Sequence, residues 1–289
     1  MNDEAKRPAT LLSEWVGRQV PAAADWLAEA MERLGSGATD RDLYLAVSLA
    51  PRKVGKDDLT LDEADLASAE RARPGWSPAG WSVDQAARLA VLLAADSDDE
   101  TFARRLDALF RTGDVGELIT FYRGLPLYPA PERHVARAAE GARSNMKAVF
   151  NAVAHYNPYP AEMFEEGTWN HMVLKALFVE SPLYPIRGLD DRANPALMRM
   201  LCDYAHERWA ASRPVSIELW RCVGPHADAQ AIDDLTRVIG SEDECERLAG
   251  ALALKASPDP EAARRLAAAP ELRAKIESGA VSWESLARR

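Results

Sequence analysis

The sequence predicts an all-α protein, and three observations carry that reading. Apolar residues recur at spacings of three and four, and period-two alternation is almost absent. Ser, Asp or Asn repeatedly stands just ahead of an apolar run, where helices start. The architecture expected from this is an irregular α-solenoid or helical bundle, with HEAT-like helical pairs especially towards the C-terminus.

In chain order, residues 50–82 contain WSPAGW and show little periodicity after Arg73, so they read as a long surface loop. Ser82 is placed to cap an apolar helix over 83–95, and Ser97 or Asp98 to start the next, with Phe102, Leu106, Leu109 and Phe110 on one face. Gly113 breaks that helix. Residues 114–122 then form another, with Leu118, Ile119 and Tyr122 inward. Two connectors, GLPLYPAPE (124–132) and SPLYPIRGLD (181–190), share the tetrapeptide PLYP. Proline fixes its own backbone and pushes its predecessor towards extended conformations, so both should be non-helical.

A helix over about 144–156 turns Met146, Val149, Phe150 and Val153 inward. Lys147, Asn151 and His155 form a polar stripe on it, solvated by default. The NPYP turn at 157–160 makes a rigid corner that would present His155 and Asn157. Residues 168–180, capped by Thr168, are apolar nearly all round, the pattern of a core helix. Asn170, His171 and Lys175 are its exceptions. A lysine there must snorkel, meet an acid or face an anionic or carbonyl ligand.

Asn194 followed by Pro195 starts a helix over 194–212. Leu197, Met200, Leu201, Tyr204 and Ala205 form an apolar arc into which Arg208 projects. A carboxylate at a helix seam would satisfy that charge, or a ligand would. Asp203, His206 and Glu207 fall on the opposite, solvated side. From residue 228 short helices alternate with turns, each too short to bury its face alone. Residues 1–125, 126–226 and 227–289 are read as N-terminal, central and C-terminal parts of one continuous domain.

A net charge of −10 argues against a nucleic-acid partner. Cys202, Cys222 and Cys245 lack CxxC spacing. Ala210 stands where HExxH needs its second histidine after His206, and no Glu-x-x-His complements Asp203 and His206. No metal or cofactor is expected, and no phosphate loop or GxSxG elbow is present. The N-terminal stretch carries Asp3 and Glu4 and no apolar core. The longest apolar runs, such as 89–95, fall well short of the ~20 residues that span a bilayer. The expected setting is cytoplasmic.

Residues 151–226 hold four of the five histidines, so chemistry, if any, is sought there. The residues singled out as ligand-binding are Lys175, Arg208, Asn170, His155, Asn157, His171 and Arg221, the pattern of an apolar pocket with few polar groups.

The run HYNPYP, WNHMVLKALF, PLYPIRGLDDRANP and LCDYAHERWAASRPVSIELWRCVGP, between residues 155 and 225, resembles the signature of the EboA family. YRGLPLYP (122–129) fits it too, and the likeness covers most of the chain after about residue 86. Members of that family are encoded beside a UbiA-like prenyltransferase, a TatD-like hydrolase, and sugar-isomerase-like and dehydroquinate-synthase-like proteins. The family is associated with traffic of secondary-metabolite precursors from the cytoplasm towards the periplasm. The resemblance implies a small-molecule-binding or scaffold protein, with a metabolite and those operon proteins as partners. It brings no catalytic residues. The alternative is an enzyme that modifies a small anionic or aromatic metabolite in a central helical pocket.

Overall fold

Eighteen α-helices, four short 3-10 helices and no strand account for the regular structure of residues 3–37, 39–95 and 97–287, which a computed structural model describes. The predicted all-α class is the observed one. Packing divides the chain into two units, Met1–Phe164 and Glu165–Arg289.

The first unit holds α1 (Asp3–Gln19), α2 (Ala24–Gly35), α3 (Asp40–Val54), α4 (Glu63–Ala72) and α5 (Val83–Ala94). It continues with α6 (Asp99–Thr112), α7 (Val115–Arg123), α8 (Val135–Ala142), α9 (Lys147–Ala154) and α10 (Tyr159–Met163). Helix α5 is its axis and packs on α1, α2, α3 and α7. It can occupy that place because its run VDQAARLAVLLA is apolar on nearly every side. Its two charged residues are a matched i,i+4 pair. Asp84 and Arg88 are both buried, and Arg88 Nη1 lies 3.0 Å from Asp84 Oδ2. Ser82 and Gln85 close a capping box at its start, while Asp98 Oδ1 accepts from Thr101 N at 2.7 Å to start α6.

The stretch 50–82 is not the surface loop expected from its weak periodicity. It contains α4, started by a capping box between Asp62 and Asp65. Trp76 and Trp81 of WSPAGW are 1% and 3% exposed, and with Trp15 of α1 they form an aromatic cluster at centroid distances of 6.0 and 6.2 Å. A connection can be buried when its backbone is paired. Here Leu59 N donates to Trp81 O and Val83 N to Asp57 O. Met146 also departs from expectation and is 47% exposed. The chain is still in a turn there, with Met146 N donating to Ser144 Oγ, and α9 begins only at Lys147.

The second unit holds α11 (Glu166–Phe178), α12 (Pro195–Ala210), α13 (Leu219–Val223) and α14 (Ala229–Ile239), followed by α15 (Glu244–Ala256), α16 (Pro260–Ala267), α17 (Pro270–Glu277) and α18 (Trp283–Ala287). Helix α15 is central and packs on α13, α14, α16, α17 and α18. Small residues make the close approaches possible. A Cβ on Gly224 would lie 2.8 Å from Ala253 Cα, and one on Gly250 2.9 Å from Val238 Cγ1. Asn194 caps α12 as predicted, its Oδ1 accepting from Leu197 N at 2.9 Å. Thr168 does not cap α11, which starts a turn earlier, after Glu165.

The two PLYP segments do not share a structure. The first enters a 3-10 turn, Leu125–Leu127, and Tyr128 Oη donates to Phe121 O. The second is held open by Glu218, whose carboxylate accepts from Leu183 N and Tyr184 N at 2.9 and 2.6 Å.

Candidate functional site

His155 and Asn157 belong to the first unit, while Asn170, His171, Lys175, Arg208 and Arg221 belong to the second. Within the second unit several of these side chains have structural work. Asn170 is buried and exchanges amide hydrogen bonds with Asn194 (Nδ2 to Oδ1, 3.2 and 2.8 Å), tying α11 to the start of α12. His171 is exposed and donates from Nδ1 to Gly167 O one turn back. Lys175 is half-buried on α11. Arg221 forks onto Asp190 with two 2.6 Å contacts that hold its pKa up, and it lies 3.6 Å from Glu284, which adds to the effect.

Arg208 is different. Its Nε donates to Pro214 O at 2.9 Å, its guanidinium sits 6.0 Å from the Tyr204 ring, and among the described residues no carboxylate pairs with it. It lines an open cavity of about 390 Å³ with Leu177, Tyr204, Val215 and Glu218. Burial raises the Glu218 carboxyl above its usual range despite the two backbone N–H groups it accepts.

The face of α12 expected to be solvated is only partly so. Asp203 and Glu207 are exposed, but His206 Nε2 lies 2.8 Å from both carboxylate oxygens of Asp234 on α14. Helical phasing of α12 alone could not show this, because the partner comes from a different helix. Cys202, one turn before His206, completes a thiol–imidazole–carboxylate grouping. Burial, and after it the nearby Asp234 carboxylate, drive that thiol up to about 12, and its Sγ lies 3.9 Å from Met198 Sδ, so the thiol is held in its protonated form.

The first unit builds a smaller and more enclosed cavity, of about 220 Å³. Three sequence motifs meet in it: Ser77, Gly80 and Trp81 from WSPAGW, Arg123 from YRGLPLYP, and Asn151, His155, Tyr156 and Asn157 from the end of α9 and HYNPYP. Asn157 is the clasp. Its Nδ2 donates to Tyr122 O (3.1 Å) and Ala152 O (3.2 Å), and its Oδ1 accepts from Tyr159 N (3.0 Å). These bonds use both amide hydrogens, so Asn157 shapes the wall and fixes Arg123, the next residue after Tyr122, beside the 155–157 turn. The Tyr159 hydroxyl donates to Pro131 O and anchors the far side of the turn. Tyr156 adopts a left-handed backbone (φ 51°), which costs a non-glycine residue about 1–3 kcal/mol and leaves its side chain 42% exposed at the cavity.

Among the described residues that line the cavity, Arg123 is the only cation besides any charge on His155, and none is an acid. Its Nη1 donates to Gly80 O (3.1 Å) and Gln85 Oε1 (2.6 Å). Both partners are neutral. Among the described residues no carboxylate lies within ion-pair distance, and burial pushes the guanidinium pKa down while leaving it protonated. Sequence reading passed over Arg123 because a basic residue in a helix's last turn is ordinary dipole complementation. The available signal was that its motif and HYNPYP are both polar helix ends running into proline turns.

A family model described as metabolite traffic protein EboA matches residues 9–224. The chain belongs to the EboA family. The matched range contains every residue lining the two cavities, whereas Asp234, the partner of His206, and Glu284 lie beyond it. EboA members are metabolite traffic proteins, and that broad role applies to this chain. No curated protein and no solved structure matched it. Among the described residues no helix is long and apolar enough to cross a membrane, and no cluster of His, Cys, Asp or Glu could hold a metal ion.

Proposed function

We propose that this EboA-family chain is a small-molecule-binding protein of metabolite traffic, which holds a secondary-metabolite precursor in the cytoplasm and passes it on for export. One observation carries the reading: the enclosed cavity of the first unit, whose guanidinium is satisfied only by neutral oxygens. A binding cavity needs a few convergent polar groups on an apolar wall, and this one has them. A catalytic site would also need a nucleophile or a base aimed at a reacting atom. This cavity gathers a guanidinium, amides, hydroxyls and an imidazole, a set suited to holding a ligand. Delivery to the prenyltransferase or hydrolase encoded beside family members is the corresponding partner step.

The test is native mass spectrometry of the full chain purified from cells that express its neighbouring genes. A small molecule should travel with the folded protein and be released unchanged on denaturation. Protein free of any small molecule under those conditions, or a ligand that the chain converts to a new mass, would overturn the reading.

A further inference from the structure

We infer that the cavity of the first unit is an oxyanion site for a flat, single-ring metabolite, with Arg123 holding the anionic group. The inference rests on the binding function proposed above and names the ligand class of that same cavity.

Charge is the first consideration. A half-buried cation without a carboxylate loses hydration that neutral carbonyl oxygens replace only in part. The C-terminal end of α7 contributes a favourable dipole, as do Gly80 O and Gln85 Oε1, but none of these brings a full negative charge. Both known bonds are made from Nη1, so Nη2 and Nε remain for a ligand, and these two nitrogens on one edge of the fork match a carboxylate or phosphate. The whole chain carries a net charge of −10, so its general field repels anions. Anion binding here must come from the local arrangement.

Shape is the second. A cavity of about 220 Å³ is smaller than the ~300–1,000 Å³ that holds drug-sized ligands. Trp81, Ala79 and Ala152 line it together with His155 and Tyr156, whose rings lie at a centroid distance of 6.5 Å. Asn151, Ser77 and His155 supply polar groups around the same space. An anion attached to one flat ring fits both halves of this lining.

The shared chemistry, an oxyanion on a ring, arises from either a carboxylate or a phosphate monoester. The experiment separates them. Benzoate, phenyl phosphate and the neutral benzamide are titrated into the isotope-labelled full chain, with the imidazole signals observed by NMR and His155 assigned from H155Q. Benzoate or phenyl phosphate should shift the His155 signal saturably, and the tighter of the two identifies the anion. Benzamide should bind about tenfold or more weaker, since it lacks the charge-assisted bond. Arg123→Gln should remove the shift while Arg123→Lys keeps part of it. Benzamide binding as tightly as the anions, anion binding unchanged in R123Q, or no binding of either anion would each overturn the inference. The benzoate–benzamide comparison needs no variant, so it decides the matter even if R123Q does not fold. A metabolite that travels equally with wild type and R123Q would leave the carrier function standing and remove only this anion site.

Discussion

The buried pair Asp84–Arg88 gives the sharpest energetic prediction. Both residues lie on the central helix α5, with side chains 6% and 4% exposed and a 3.0 Å contact. Asp84 Oδ1 also accepts from the Ser82 hydroxyl at 2.6 Å, and Arg88 Nε donates to Val47 O at 3.3 Å. Replacing Asp84 by Leu strands a buried guanidinium, a situation that costs about 3–5 kcal/mol. Glu117 stands 3.7 Å from Arg88 Nη2 and takes up part of the charge, so the lower end, about 3 kcal/mol, is expected. For a unit of this size that corresponds to a fall of about 6–12 °C in midpoint. Arg88→Met should cost a similar amount, because it strands Asp84. The double variant Asp84→Leu/Arg88→Met should recover most of the loss, since apolar replacement of a whole buried pair is often close to neutral. Thermal unfolding followed by circular dichroism on the four proteins closes the cycle. Single variants within about 1 °C of wild type, or a double variant losing the sum of the singles, would refute the claim that the pair is buried and coupled.

Acid should weaken the first unit through Asp40. Its carboxylate accepts from Arg104 at 2.6 Å and Arg105 at 2.7 Å, and those bonds pull its pKa down to about 2. A depressed carboxyl pKa stabilises the fold above the unfolded value near 4 and loses that effect as pH falls through about 2. The full shift would be worth about 2.4 kcal/mol; with the side chain a third exposed, about 1 kcal/mol is expected. The midpoint difference between wild type and Asp40→Asn should therefore be present at pH 5 and vanish near pH 2, and a difference constant across that range would count against it. In the second unit, Gly224→Ala puts a methyl against Ala253 backbone atoms that cannot rotate away, so a midpoint loss equivalent to about 1–3 kcal/mol is expected. Gly167→Ala, with open space around its Cβ in α11, should be neutral or stabilising by about 0.5–1 kcal/mol. Equal melting of those two variants would contradict the close approach at Gly224.

The sequence alone determined the all-α class and the caps at Ser82 and Asn194, and it narrowed the start of α6 to Ser97 or Asp98. Those are local properties: hydrophobic period and capping chemistry act over a few residues and need no knowledge of neighbours. The tertiary structure decided which polar residues do what. Asn170 and Arg221 looked like ligand groups, yet Asn194 and Asp190, which are 24 and 31 residues away, hold them. His206 looked solvated until α14 brought Asp234 to it. WSPAGW looked like loop because burial without periodicity leaves no trace in spacing, although its two tryptophans sit in the core. Arg123 was inconspicuous for the opposite reason: a cation at a helix end is normal, and only folding reveals that no acid comes to meet it. Phasing records which way a side chain leaves its own helix. What waits for it there depends on segments far away in the chain.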